Sequence, residues 1–376
     1  MQFFITFLLS LFISTYSYSI DTKANQAIVI DFNTQEVLFE KNADKLMAPA
    51  SMTKIMTLYI VFDRLQKTDL SINDTCNISP KAYKMGGSRT FLEIDEKVSI
   101  NDLLKGIIVQ SGNDASVALA ECLSGTETDF ANLMNIYANK LDMQNSNFIN
   151  SSGWPEKNHY STVRDLGILS SSLIRDFKKF YEYFRLKEFT YNEIKQPNRN
   201  KLLTSFNGAD GLKTGYTKKS GWGISGSAIK EDRRIIVVIN GTNSSRSRLN
   251  ESSNLLNWAF SQTSQKKLFS KRQIIKKVDT WLGSESYINL IIDNDVISTL
   301  SYDQIQLISS KLSYSSPISA PIIKGDKLGS IQIIIPGKSH IIVPLVAEKD
   351  IDEINPLLRV FAAIKYLIFG TSLDES

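Results

Sequence analysis

Gly211-Leu212-Lys213-Thr214-Gly215-Tyr216-Thr217, then Trp222 to Ile229, then Arg233 to Ile239, read as three strands in succession. Lys230-Glu231-Asp232 turns the second into the third. Links this short permit only antiparallel pairing, because a parallel return needs a long crossover. Toward the N-terminus, Ala27-Ile28-Val29-Ile30 and Val37-Leu38-Phe39 read as a hairpin around Asn33-Thr34. Helical spacing fills much of the text between. Met52, Ile55, Met56, Tyr59 and Ile60 make one apolar face. Leu103, Leu104, Ile107 and Ile108 make another, with Asn101 as N-cap, and a further helix runs from Asp114 to Cys122. These patterns predict an α+β fold, an antiparallel sheet flanked by helices. From about residue 270 to 347 the text is β-rich, with Gly325-Asp326 and Pro336-Gly337 as turns, which predicts a small separate all-β domain. There is no internal repeat and no low-complexity linker.

At 376 residues the chain exceeds one ordinary domain. Apolar residues at 42% and charged residues at 22% exclude disorder and collagen-like structure. A net charge of +4, with no dense basic stripe, argues against a nucleic-acid partner. His159 and His340 are the only histidines, which excludes a His-rich zinc site and leaves two candidate bases for a Ser-His-Asp triad. Cys76 and Cys122 are the only cysteines. They allow one pairing, but two unrelated buried thiols are the expectation. Phe3 to Ile13 is apolar except for Thr6 and Ser10, too short to span a bilayer and shaped like a signal-peptide core. Ser17-Tyr18-Ser19 places cleavage after Ser19, although no Lys or Arg precedes the apolar run. Residues 1–19 are thus expected to be a signal, and the mature chain from Ile20 to work outside the cytoplasm.

Ser51-Met52-Thr53-Lys54 opens the first strong helix. Residues three apart share a helix face, so Lys54 can reach the Ser51 hydroxyl. A desolvated lysine loses its proton near neutral pH and acts as general base. The bland alternative has Ser51 capping the helix and Lys54 in water. Ser227–Lys230 and Ser264–Lys267 share the spacing without an apolar-faced helix. Ser111-Gly112-Asn113 lies between two helices; its S-x-N pattern recurs at Ser71, Ser99, Ser205 and Ser252 and means little alone. Lys213-Thr214-Gly215 puts a cation and a hydroxyl on a strand beside a glycine, which suits a bound carboxylate. Lys219-Ser220-Gly221 nearly repeats it in a turn.

Taken together, the three motifs resemble the penicillin-recognising serine enzymes. The flanks sharpen the resemblance. Pro49-Ala50-Ser51-Met52-Thr53-Lys54-Ile55-Met56-Thr57, Gln110-Ser111-Gly112-Asn113-Asp114-Ala115 and Asp210-Gly211-Leu212-Lys213-Thr214-Gly215-Tyr216-Thr217 are similar to D-alanyl-D-alanine carboxypeptidases, the low-molecular-mass penicillin-binding proteins. Similarity continues through His159 to Leu166, Asn198 to Leu203 and Ala320 to Asp326. The resemblance implies a penicillin-binding transpeptidase/β-lactamase-like catalytic domain at 20–265, the C-terminal β domain at 266–350 and a tail at 351–376. It implies that Ser51 attacks the carbonyl between two terminal D-alanines of a peptidoglycan stem peptide and that Lys54 takes its proton. Ser111 would relay a proton to the leaving amine while Asn113 holds the polar network. Lys213 and Thr214, with Gly215 beside them, would bind the carboxylate, and Arg248 is a further candidate with Arg246 as its rival. Backbone N–H groups of Ser51 and Tyr216 would form the oxyanion hole. His159, before the expected helix cap Thr162, is assigned a structural role. The implied partners are peptidoglycan peptides and β-lactams, with no metal or organic cofactor.

Three other readings compete. A serine β-lactamase needs a dedicated deacylating group, such as a glutamate, and no matching segment is present. A penicillin-binding endopeptidase usually lacks the β domain. A non-catalytic peptidoglycan-binding protein would have lost Ser51 or Lys54. In the tail, Leu357 to Phe369 is apolar apart from Arg359 and Lys365, and Pro356 suits a first helical turn. As a helix it spans about 20 Å, short of a ~30 Å hydrocarbon core. It reads as an amphipathic helix on the outer face of the cytoplasmic membrane, in line with the family resemblance, or as a helix docked on the β domain.

Overall fold

Ala27–Ile30 are completely or nearly completely buried, as a continuous apolar run on a central strand requires. The structure, a computed structural model, describes residues 20–369; the expected signal segment at 1–19 lies outside them. In chain order the elements begin with β1 (Gln26–Asp31), β2 (Val37–Lys41), a 3₁₀ turn (Ala50–Thr53), α1 (Lys54–Lys67), β3 (Thr75–Asn77), α2 (Pro80–Tyr83), β4 (Lys97–Ser99) and α3 (Ile100–Lys105). There follow α4 (Asn113–Ser124), α5 (Glu127–Lys140), α6 (Val163–Asp176), α7 (Lys178–Tyr181), β5 (Glu188–Tyr191), β6 (Ile194–Pro197), α8 (Leu202–Ser205), β7 (Ala209–Thr217), β8 (Gly221–Lys230), β9 (Arg233–Thr242) and α9 (Ser245–Gln262). The main sheet has the order β2-β1-β9-β8-β7. The antiparallel run expected at residues 211–239 is its β7-β8-β9 half, with Lys213 opposite Ser225 and Tyr216 opposite Trp222.

The described residues form two compact units, 20–28, 40–228 and 237–258 in one, and 29–39, 229–236 and 259–369 in the other. In the first, α1 contacts α4, α5, α6 and β7. The sequence pattern suggested one apolar face for α1, yet every residue from Lys54 to Asp63 is buried. A helix walled in on all sides carries its polar side chains into the interior. That is how a lysine is desolvated here. The cap of α3 is a correction: Ser99, not Asn101, accepts from Asp102 N (3.1 Å), because the chain leaves β4 extended at Ser99. Asn101 instead accepts a hydrogen bond from the Tyr183 hydroxyl at 2.7 Å. Thr162 does cap α6, accepting from Asp165 N at 3.0 Å.

The cysteines are a second correction. Cys76 on β3 and Cys122 on α4 form a disulfide, with Cα atoms 5.5 Å apart. Packing of the β3–β4 hairpin beside α4 brings them together, a tertiary contact that a separation of 46 residues does not reveal.

The second unit holds β10 (Thr263–Phe269), β11 (Ile274–Trp281), β12 (Tyr287–Ile292), β13 (Val296–Ser301), α10 (Tyr302–Gln306), β14 (Ser309–Tyr314), β15 (Ile318–Ser319), β16 (Lys327–Ile334), β17 (Ile341–Ala347) and α11 (Pro356–Phe369). Six strands run in the order β14-β16-β17-β12-β11-β15, and β10 pairs with β13. Ile288, Leu290, Ile292, Leu300, Ile333 and Leu345 form its core. Gly325 and Gly337 take positive φ at the two expected turns. On α11, Leu357, Val360 and Phe361 are 76%, 59% and 69% exposed, so they are not covered by the β domain. Among the described residues no helix is long and apolar enough to cross a membrane.

Candidate active site

The first motif sits on the 3₁₀ turn that leads into α1. Ala50 takes a positive φ of 50°, which turns the chain sharply into Ser51. Lys54 is fully buried, so the capped-serine, solvated-lysine alternative fails. Its Nζ donates to Ser51 Oγ at 3.0 Å, Asn113 Oδ1 at 2.7 Å and the Ser152 carbonyl at 2.6 Å. Burial pushes the ammonium down to about 7; Asp114 raises it, Arg199 lowers it and Glu127 raises it. As a free amine, Lys54 keeps two N–H groups for Asn113 and Ser152 and turns a lone pair toward Ser51. The rival S-x-x-K pairs lie on strands, Ser227–Lys230 on β8 and Ser264–Lys267 on β10, where residues three apart face opposite ways.

The second motif follows a π-helical turn, Gly106–Gln110, which ends at Ser111 in the left-handed region with φ 64°. Such a φ is uncommon for serine and clusters at functional sites. It lets Gly112 and Asn113 start α4 while the Ser111 hydroxyl faces β7. Asn113 is braced on both sides of its amide: Oδ1 accepts from Lys54, and Nδ2 donates to the Gly86 carbonyl at 2.8 Å.

The third motif lies on β7. Lys213 is buried, and its Nζ donates to Ser111 Oγ at 2.8 Å and the Thr214 carbonyl at 3.2 Å. Burial holds Lys213 well below the usual lysine range, and Lys54, Arg199 and Arg248 add to the fall. Thr214 is buried and Tyr216 half exposed, its ring 4.2 Å from that of Trp222. Gly215 owes its identity to the helix turn: a Cβ there would lie 2.9 Å from the Pro49 carbonyl and 3.2 Å from Ala50 Cβ. Glycine thus brings β7 against the nucleophile's turn. Arg248 is buried and Arg246 exposed. Arg248 donates weakly to the Arg199 carbonyl (3.5 Å) and Ser245 Oγ (3.4 Å), and burial, then Arg199, lowers it to about 10.

Ser51, Asn113, Arg199 and Tyr216 share one cavity of about 1500 Å³, whose wall also includes Trp154. Lys213, Arg199 and Arg248 bring basic groups together behind and beside it, and each lowers or feels another. Bringing in an anion relieves that repulsion. His159 is spent elsewhere. Its Nδ1 accepts from Ile149 N at 3.3 Å, which puts the proton on Nε2, 2.9 Å from Thr53 Oγ1. Burial, with Lys54 adding, lowers it to about 4, so it is neutral.

Two participants were not singled out from the sequence. The Ser152 carbonyl holds Lys54, and no side-chain motif announces a backbone acceptor. Arg199, whose Nε donates to the Gln110 carbonyl at 2.9 Å, stands in the family-like segment Asn198 to Leu203, which was the one available signal.

Residues 14–244 match the family described as D-alanyl-D-alanine carboxypeptidase. The chain belongs to that family. Residues 264–353 match the penicillin-binding protein 5 C-terminal domain. D-alanyl-D-alanine carboxypeptidase DacC of Escherichia coli (strain K12) is 36% identical over 349 residues, 89% of this chain and 85% of that protein. Among solved structures, penicillin binding protein 5 from Haemophilus influenzae aligns with a TM-score of 0.78 at 32% identity, covering 89% of this chain and 99% of that one. Penicillin-binding protein D2 from Listeria monocytogenes, in the ampicillin-bound form, aligns at 0.60 and 30% identity over 64% of this chain and 99% of its own. The expected fold is therefore correct: a penicillin-binding protein fold of mixed helices and sheets with a C-terminal all-β domain.

Proposed function

We propose that this chain is a serine-type D-alanyl-D-alanine carboxypeptidase acting on peptidoglycan stem peptides, with the roles assigned from its motifs. The observation that carries the mechanism is the buried Lys54 amine, 3.0 Å from the Ser51 hydroxyl. Ser51 passes its proton to Lys54 as Oγ bonds to the carbonyl carbon between two D-alanines. The oxygen of that carbonyl becomes an anion, held by the backbone N–H groups of Ser51 and Tyr216. Ser111, linked to Lys213, relays a proton to the departing amine as the C–N bond breaks. Lys213, Thr214 and Arg248 hold the terminal carboxylate, and Arg199 joins them from the cavity wall. Water then hydrolyses the ester and frees Ser51. A β-lactam enters the same path and leaves a slowly hydrolysed ester.

Incubating the protein with a pentapeptide ending in D-Ala-D-Ala tests the reaction. Release of one D-alanine supports it; cleavage of cross-linked dimers alone would favour an endopeptidase. The activity implies a role in cell-wall biogenesis and a location outside the cytoplasm, which the expected signal segment serves. Residues 20–265 form the catalytic part and 266–350 the β domain. The tail lies at the outer face of the cytoplasmic membrane, a reading supported by the exposed apolar residues of α11.

A further inference from the structure

We propose that Glu127 is a positioning residue for the acylation step: by holding the Ser151–Gly153 turn, it fixes the carbonyl on which the Lys54 amine rests. The inference rests on the reading of Lys54 as general base. Glu127 opens α5 yet points inward, 7% exposed. One carboxylate oxygen accepts from Ser151 N at 3.1 Å and Ser151 Oγ at 2.8 Å. The other meets Lys81, which is half exposed, at 2.8 Å. The Ser151 carbonyl accepts from Thr57 on α1 at 2.6 Å, and the next carbonyl, that of Ser152, accepts from Lys54. The turn is also pressed against the nucleophile. Gly153 has φ +76°, and a Cβ there would lie 1.8 Å from the Ala50 carbonyl oxygen. A shift of this turn therefore moves both reacting side chains. Misplacements near 1 Å at such a site cost on the order of 100-fold in rate.

Glu127 also places a charge near the amine. The charged or titratable groups facing Lys54 are Asp114 on α4, Glu127 on α5, Arg199, Lys213 on β7 and His159. Glu127 raises the Lys54 value, so its neutralisation lowers that value. The free amine then persists to lower pH, and the acid limb of acylation moves down. A residue that serves only to fold the protein leaves that limb where it is.

The test measures the rate of labelling by a fluorescent penicillin from pH 5 to 9 for the full chain. Glu127→Gln keeps the shape and an oxygen acceptor for Ser151. Its midpoint is expected below the wild-type one, with a plateau within about threefold of wild type. Glu127→Ala removes the acceptor, and its plateau is expected to fall at least about tenfold. A Glu127→Gln profile that superimposes on wild type overturns the proposal, and this variant decides the matter if the alanine variant does not fold. A folded Glu127→Ala enzyme with the wild-type plateau overturns it equally. Wild-type protein that labels at Ser51 without an acid limb refutes the base assignment instead, and the inference falls with it.

Discussion

Lys213 Nζ donates to Ser111 Oγ at 2.8 Å, joining residues 102 positions apart and welding the third motif to the second. The bond gives the buried lysine an acceptor but, among the described residues, no counter-charge, so its preference for an anionic ligand is left unsatisfied. Lys213→Ala should therefore weaken capture of carboxylate-bearing ligands most, by about 10- to 100-fold, the value of a hydrogen bond to a charged group. Acylation rates with a penicillin and with its carboxyl ester check this. Equal losses for both would remove the carboxylate from the role of Lys213.

Ser51→Ala should abolish D-alanine release and penicillin labelling together. The other S-x-x-K serines lie on strands, where the lysine three residues on faces the opposite way. Mass spectrometry of the penicillin-treated variant checks this; an adduct on any other serine refutes the assignment.

Lys54→Arg should be as damaging as Lys54→Ala, because a guanidinium keeps its proton and has no lone pair to offer. In the wild type, the lowered value of about 7 places the acid limb of acylation near neutrality. The sign follows from the role. The amine accepts a proton only when deprotonated, so the rate rises as pH climbs through that value and falls below it. A wild-type midpoint near the ordinary lysine value, or near-normal acylation by the arginine variant, would contradict the assignment.

Cys76→Ser with Cys122→Ser should leave the site in place but lower stability. Opening a crosslink with a sequence separation of 46 costs about 4 kcal/mol in the chain-entropy account. Chemical denaturation of the pair against wild type, read as a lowered midpoint, measures it. An unchanged midpoint would mean that the disulfide adds nothing to the β3–α4 contact.

These residues also show what was legible in the sequence and why. Ser51 and Lys54 stand three residues apart where a 3₁₀ turn runs into α1, so their meeting was readable from spacing alone. β7 to β9 were readable because short links leave an antiparallel run no alternative. The cap at Ser99 was missed by two residues, because it depends on where β4 ends rather than on side-chain type. The disulfide, the Ser152 carbonyl and the Glu127–Ser151 pair were out of reach. Each joins segments whose proximity exists only after α1, α4 and α5 have packed. Arg199 lay between these cases, inside a family-like segment yet with no local pattern to mark it.

The tail offers the last prediction. α11 begins at Pro356, with the Asn355 side chain accepting from Leu358 N at 2.9 Å. Just before it, Glu353 bridges to Gly283 and Ile354 N donates to the Leu282 carbonyl at 2.9 Å, so these residues still belong to the β domain. A cut intended to remove only the helix must therefore follow Asn355. Arg359 folds back onto Glu353 and the Ile354 carbonyl, which leaves Leu357, Leu358, Val360, Phe361 and Ile364 as the exposed apolar surface. Burying such a surface at a lipid interface gains on the order of 25 cal/mol per Å² of apolar area. Truncation after Asn355 should release active enzyme from membrane fractions with Tm and D-alanine release unchanged. Leu357→Asp with Phe361→Asp should do the same in the full chain, since both charges fall on that surface. Truncated protein that still sediments with membranes would place the attachment elsewhere, and truncated protein that unfolds would make α11 part of the fold.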